Sequence, residues 1–313
     1  MNFFLERVKN YFTRESLPHS ALQLASSYLG GIHVSAKEKK IKAHFILPLE
    51  QGVIEPSFSQ KNIKDPSLLE RRIKEGLERL HLSEQRIACL IPESSLKVFV
   101  FSFGSLPPSR KEREQLIRFR VKKQLPLLPA DARFSFDLIH SSNSLRVLAA
   151  VARSSVISEY EDFFAGLNLR VRIVGIPSLS LYNLMIKKKE GDFLLVNIEE
   201  DFFSLVVILE SGVSLYRLKF FMAESQRSFS ELQRVENVIK EVENTVNFVE
   251  DREKKRVQSF WVRLGLLKQG SELPSLLREK FPFPLTEIDV GQAAGLGDKE
   301  SKILSPLIGQ ILR

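Results

Sequence analysis

Hydrophobic and polar positions along this chain alternate between two spacings. Ala21 to Ala25, Ile32 to Val34 and Ile41 to Leu47 are apolar stretches of strand length divided by polar turns, a succession that predicts a meander of paired strands. The spacing then lengthens to three and four residues. Leu69, Ile73, Leu77 and Leu80 mark the buried stripe of a helix that Asp65 caps and Pro66 starts, since proline has no N–H to leave unpaired in a first turn. Ile87 to Ile91 and Lys97 to Phe103 return to the strand period. In the second of these, Phe99, Phe101 and Phe103 share one face and are expected to lie against helices, with Val98, Val100 and Ser102 on the other.

Pro107-Pro108-Ser109 interrupts the pattern. A helix rich in Lys and Arg follows, ending at Leu125 before Pro126. Strands at Phe134 to Ile139 and Leu145 to Ala152 and a helix at Ser155 to Phe164 complete a small α+β unit, which closes at Gly166. Val171 to Val174 and a helix at Ser178 to Ile186 lead back to the first unit. A second three-strand meander then runs through Asp192 to Asn197, Phe203 to Glu210 and Val213 to Phe220, loosely repeating the first. The longest helix is expected from Phe229 to Arg252, with Leu232, Val235, Ile239, Val242, Val246 and Val249 as its apolar stripe. A strand at Ser259 to Leu264, a helix at Pro274 to Lys280 and the segment Ile303 to Arg313 finish the chain. Ahead of everything, residues 3 to 13 have the spacing of an amphipathic helix, closed by Pro18.

The composition, 43% hydrophobic and 27% charged over 313 residues, is that of an ordinary globular protein. No apolar run approaches the ~18 to 20 residues needed to cross a bilayer, and the N-terminus lacks the basic, apolar and small-residue succession of a signal peptide, so the expected location is the cytoplasm. The single cysteine, Cys89, lies in an apolar strand and reads as an inert buried thiol. The net charge of +8 is concentrated in Arg110, Lys111, Arg113, Arg118, Arg120, Lys122 and Lys123 of the one basic helix. Neither interleaved aromatics on a sheet nor a helix-turn-helix accompanies it, so nucleic acid is not an expected partner. His19, His33, His44, His81 and His140 are scattered, without paired metal-ligand spacing, and no nucleophile elbow occurs; neither a metal nor a catalytic residue is expected.

Leu106-Pro107, then Leu116 through Leu127, Phe136-Asp137-Leu138, Val147 through Arg153, Tyr160, Leu167, Ile176 through Asn183 and the ending Ser305 through Arg313 follow one another in an order and spacing that resembles PilM-type type IV pilus assembly proteins, members of the actin-like ATPase superfamily related to the cytoplasmic domain of type II secretion GspL proteins. The resemblance covers roughly residues 20 to 313. It implies an α/β, actin-like (ribonuclease H-like) fold of duplicated domains around a cleft. Its expected parts are an N-terminal amphipathic helix over 1–17, a first domain over 18–106, 171–190 and 303–313, an inserted α+β subdomain over 107–170, and a second domain over 191–302.

It also implies ATP in the cleft and the cytoplasmic N-terminal tail of a bitopic inner-membrane protein, PilN-like, as partner. For ATP the residues disagree. An aspartate and glycines would be expected in the first phosphate loop and again in the second, where magnesium water and phosphates are held. At the matching places stand Gln23 and Ala25, then Asn197 and Glu199. Glu199 sets an anion where a triphosphate would lie, a repulsion of about 4 kcal/mol at ~4 Å and an effective dielectric of ~20. The adenosine-side pair of glycines is reduced to Gly265 between Leu264 and Leu266. The reading is therefore a pseudo-ATPase scaffold with no cofactor, Ser26, Ser27 and Gly265 being the residues left to touch an anion. A working ATP- and Mg-binding ATPase that switches partner affinity is the alternative, as is a type II secretion component. Phe119, Leu125 and Leu127 beside the basic helix are the candidate tail-binding residues, with Phe119 and Leu125 as that helix's core face the simpler reading. The protein is placed peripheral to the inner membrane, which the N-terminal helix could touch.

Overall fold

The computed structural model describes residues 17–311 except 36, 39, 83, 141–144, 187–190, 211, 222–229, 266–271 and 292–294. The expected N-terminal helix and Leu266 lie outside the described residues. Two five-stranded sheets with the same connectivity form the body, and a three-stranded sheet forms the insert. In the first sheet β1 (Ser20–Leu24) pairs antiparallel with β2 (Tyr28–Val34), which pairs with β3 (Ile41–Pro48). On its other side β1 runs parallel to β4 (Arg86–Leu90), and β4 to β8 (Arg170–Gly175). The second sheet repeats this: β9 (Phe193–Ile198) pairs antiparallel with β10 (Phe202–Leu209), which pairs with β11 (Gly212–Phe220), while β9 runs parallel to β12 (Ser259–Leu264) and β12 to β13 (Leu285–Glu287).

The duplication extends to single hydrogen bonds. Ala25 N–H donates to Tyr28 O at 3.0 Å, and Glu199 N–H to Phe202 O at 2.9 Å. Leu49 N–H donates to Ser27 O, and Phe221 N–H to Asp201 O. Ala25 and Glu199 are thus equivalent positions of two copies of one turn, as are Gln23 and Asn197 two residues earlier. Every residue of β9 and β10 is buried, as expected of strands covered on both faces whose sequences are apolar except for Asn197 and Ser204.

Helix α1 (Pro66–Leu80) starts where Asp65 Oδ1 accepts from Leu68 N at 2.9 Å, and buries Leu69 and Ile73. The insert differs from its expected limits. β5 (Lys97–Phe103) lies ahead of the expected boundary at Pro107, yet pairs with β7 (Leu145–Ala152) in the insert sheet, whose third strand is β6 (Arg133–His140). Phe101 and Phe103 do cover the basic helix α2 (Arg110–Gln124), against Ile117 and Val121. Helix α3 (Ser154–Gly166), expected to belong to the insert, instead packs Val156, Tyr160 and Phe164 into the core of the first domain. A strand pattern read from sequence cannot distinguish two sheets, because hydrogen-bond partners far along the chain decide membership.

Helix α4 (Pro177–Ile186) crosses toward the second domain. Helix α5 (Glu231–Glu253) begins with a full capping box between Ser230 and Gln233, and packs Val235, Val242, Val246 and Val249 on the second sheet with α6 (Leu273–Lys280). Leu232, expected on that buried stripe, is 63% exposed. The C-terminal helix α7 (Asp298–Ile311) returns to the first sheet, its Leu304, Leu307 and Ile308 on Ala21, Ile32 and Leu90. Gly309 sits so close to α4 that a Cβ there would lie 2.0 Å from Ser180 O. The insert in turn rests on the second domain, where Val100, Ile139 and Leu148 pack against Val206, Val213 and Tyr216. Among the described residues, no helix is long and apolar enough to cross a membrane.

Candidate functional site

The equivalent ends of β1 and β9 face each other, with Gln23 Nε2 3.3 Å from Glu199 Oε1, and a side chain from β12, next to β9, reaches across to the first domain. Arg263, next to last in β12, is fully buried there. Its Nη1 donates to Asn197 Oδ1 at 2.9 Å and pairs with Glu199 Oε1. Its Nη2 donates to Tyr28 Oη at 2.8 Å. Tyr28 Oη also accepts from Gln23 Nε2 at 2.7 Å and donates to Glu199 Oε1 at 3.2 Å. The residues singled out in the two phosphate loops, Gln23, Asn197 and Glu199, therefore converge, and they converge on a guanidinium.

Helix α7 supplies the rest. Pro306 has no N–H, so the carbonyl of Lys302 one turn earlier lacks its helical donor. Arg263 Nε donates to that oxygen at 3.1 Å and Ser305 Oγ at 2.8 Å, while Arg263 Nη2 donates to Ile303 O at 2.7 Å. A proline inside the helix thus frees one of the two carbonyls that the arginine uses, that of Lys302. The guanidinium bridges β9 and β12 of the second domain to β2 and α7 on the first.

A second buried carboxylate continues the network. Glu93, in a 3-10 turn after β4, accepts from Ser178 N in the first turn of α4 at 2.8 Å, from Asn197 Nδ2 at 3.1 Å and from Tyr216 Oη at 2.5 Å. Asn197 is shared, its carbonyl facing Arg263 and its amide facing Glu93. An aspartate at that position could not donate to a carboxylate, which gives Asn197 a reason independent of any lost magnesium chemistry.

Burial pushes the Glu199 carboxyl up from its usual range, against the opposing pull of Arg263 and the Tyr28 hydroxyl. Burial likewise acts to discharge Arg263, but Glu199 and Tyr28 outweigh it and hold the guanidinium protonated. Tyr28 is pushed up by burial, and Tyr216 by burial and by Glu93. The site is a charged latch in which the cation needed beside Glu199 is a side chain of the protein.

Of the residues expected to remain available to an anion, Gly265 is closed in. Its N–H donates to Ile198 O at 2.8 Å, and a Cβ there would lie 2.5 Å from both Arg263 Nη1 and Glu199 Oε2. Ser26 and Ser27 are half-buried in the β1–β2 turn, where Ser27 O is taken by Leu49 N. Arg263, Tyr28, Glu93 and Pro306 were not singled out from sequence. The available signal was an arginine in an otherwise apolar strand with an acidic residue in the loop beside it. Glu199 itself is not part of an exposed charged turn; of its neighbours, Glu200 pairs with Arg234. Among the described residues, no group of three or more His, Cys, Asp or Glu side chains is placed to hold a metal.

On the insert, Phe119 is 56% and Leu127 88% exposed, and Leu125 is half-buried. Phe119 is not on the core face of α2, which Ile117 and Val121 occupy. Helical geometry sets Phe119 at the centre of the outward face, between Lys122 and Lys123, with Lys123 Nζ 4.6 Å from its ring centre.

No family model matches the sequence, and no curated protein sequence does. The fold does have counterparts. A PilM-PilN type IV pilus biogenesis complex superposes with a TM-score of 0.76 at 16% identity, over 96% of this chain and 99% of that one. A Bacteroides thetaiotaomicron protein of actin-like ATPase fold and unknown function gives 0.55 at 10% identity, over 95% and 97%. The cytoplasmic domain of EpsL, an inner membrane component of the Vibrio cholerae type II secretion system, gives 0.54 at 8% identity, over 94% of each chain. These likenesses show an actin-like fold.

Proposed function

We propose that this chain is a non-catalytic, PilM-like scaffold of a type IV pilus inner-membrane platform, cytoplasmic and peripheral to the membrane, that binds the cytoplasmic tail of a bitopic membrane protein of the PilN kind. The observation that carries the non-catalytic part is the Arg263–Glu199 pair, which fills the space between the two phosphate-loop equivalents with the protein's own cation and anion. Removing a buried partner of such a pair costs about 3–5 kcal/mol, so a nucleotide that had to displace Arg263 would bind against that opposition. The likeness in fold to a PilM-PilN complex supports the platform role, and the likeness to EpsL supports a secretion platform as its sister reading.

The tail is assigned to Phe119, Leu125 and Leu127 on the insert. An exposed phenylalanine and leucine among cations can take the apolar side chains and the carboxylates of a short peptide. The test is fluorescence anisotropy with labelled N-terminal tails of candidate bitopic partners. Binding to the wild type that weakens more than about tenfold in a Phe119→Ala/Leu127→Ser variant supports the assignment; tails that bind both proteins alike overturn it.

A further inference from the structure

Three of the five histidines, far apart in sequence, meet at one place. His19 precedes β1, His33 lies near the end of β2, and His81 follows α1 in a left-handed conformation, φ 48°. Together with Lys37 and Lys42 they line a pocket of about 520 Å³, floored by Leu80 and Val34. The pocket is at the start of β1, whereas the latch is at its end, so the two sites lie at opposite ends of the first sheet's central strand.

The groups around the pocket are nearly all of one sign. One carboxylate, Glu84, is bound to this group: it accepts from the His19 backbone N–H at 2.7 Å, and its charge is offset by pairing with Arg86 at 2.9 Å. Glu38, in the β2–β3 turn, holds its backbone N–H against Ser35 Oγ. Among the described residues, no ion pair is seen for Lys37 or Lys42. His33 Nδ1 is fixed by Ser20 Oγ at 2.8 Å, which sets the ring's orientation. Five donor side chains from five segments, with a firm apolar floor, make a concave site for a compact anion rather than a solvated charged face.

We propose that this pocket binds a phosphate-dense small anion, an oligophosphate or a phosphorylated metabolite free in solution. A single phosphate would leave most of the volume unfilled, whereas two or three linked phosphates can meet ammonium and imidazole donors at once. The field that recruits such a ligand acts on His33 in its absence. Burial, and then the neighbouring His19 and Lys42, lower its proton affinity, with Glu84 the opposing group. An anion in the pocket opposes that repulsion, so binding favours the protonated form of His33 and takes up a proton there.

The experiment is titration calorimetry of the intact protein with inorganic tripolyphosphate in about 0.15 M salt, at about pH 6 and about pH 8. The expected result is one-to-one binding that weakens at least about tenfold at the higher pH. Lys42→Gln and His81→Asn, at exposed positions where asparagine suits the left-handed backbone, should each weaken it about three- to tenfold with unchanged unfolding temperature. Lys122→Gln/Lys123→Gln on the insert should bind as the wild type. Absence of saturable binding at the lower pH, or equal affinity in a Lys42→Gln/His81→Asn double variant, overturns the proposal. Vesicles containing phosphatidic acid that sediment the wild type but not the double variant would assign the phosphate to a lipid and overturn the free ligand.

Discussion

Arg263 and Glu199 form a buried ion pair at the point where the two halves of the duplicated fold meet. Each side chain is useless there without the other. A lone carboxylate among Gln23, Asn197 and Tyr28 would be buried without a countercharge, and a lone guanidinium would have only carbonyls and hydroxyls to meet. Arg263→Met should therefore destabilise the protein by about 3–5 kcal/mol, and Glu199→Met/Arg263→Met should recover most of that loss, because well-packed apolar residues often replace a buried pair without penalty. Urea denaturation of the three proteins decides it. Equal stability of the wild type and the single variant would show that the pair contributes nothing.

The pair also predicts a pH dependence. Burial raises the Glu199 carboxyl above its ordinary value of 4.5, so the native state holds a proton that the unfolded chain releases. Stability from this group is present below 4.5 and declines as pH rises through the native value. In Arg263→Met the strongest opposing influence is gone and the native value climbs further, so the decline should extend to higher pH than in the wild type. Glu199→Gln/Arg263→Met should lose this slope. Denaturation midpoints measured across a pH series would show parallel curves for wild type and Arg263→Met if the idea is wrong.

The duplicated meanders and the cap at Asp65 could be read from the sequence, since both depend on local spacing, while the matching of Gln23 and Ala25 with Asn197 and Glu199 rested on the resemblance. The latch could not. In Phe260-Trp261-Val262-Arg263 the alternation suggests a polar outer face, but β12 is a central parallel strand covered on both sides, with Trp261 in one core and Phe260 and Val262 in another. What covers Arg263 is α7, whose contacting carbonyls are 39 and 40 residues later and whose role depends on the missing N–H of Pro306. The histidine pocket was hidden for the same reason: its members are near one another only through pairing of β1 with β2 and docking of α1.

Gly309 tests how tightly α4 and α7 hold the two domains together. Its missing Cβ would strike a backbone carbonyl, Ser180 O at 2.0 Å, which cannot swing aside like a side chain. Gly309→Ala should cost about 1–3 kcal/mol or more, despite alanine's better helix propensity, which elsewhere in a helix would stabilise by roughly 1 kcal/mol. A thermal melt showing equal or greater stability would mean that the two helices are less closely packed than described.

Leu232 lies on the second domain with 63% of its surface exposed and contributes no core. Leu232→Lys should change stability by less than about 0.5 kcal/mol, whereas Val242→Ala, one face away and fully buried, should cost about 1–3 kcal/mol. Chemical denaturation of both reads the contrast. A large loss at Leu232 would return it to the buried stripe.

The central claim is that an internal ion pair stands where an actin-like ATPase would place nucleotide. Its most direct test is the unfolding temperature with and without millimolar Mg-ATP, measured in a Lys42→Gln/His81→Asn background so that the phosphate-binding pocket proposed above does not report. ADP and GTP serve as controls. The account predicts superimposable melts, because Arg263 is already taken by Glu199 Oε1, and the buried oxygens left without a partner, Glu199 Oε2 and Gln23 Oε1, are acceptors that repel a phosphate rather than bind it. A rise of several degrees that depends on both ATP and magnesium would contradict it, and would make Ser26, Ser27 and Gly265 contacts of a working nucleotide site.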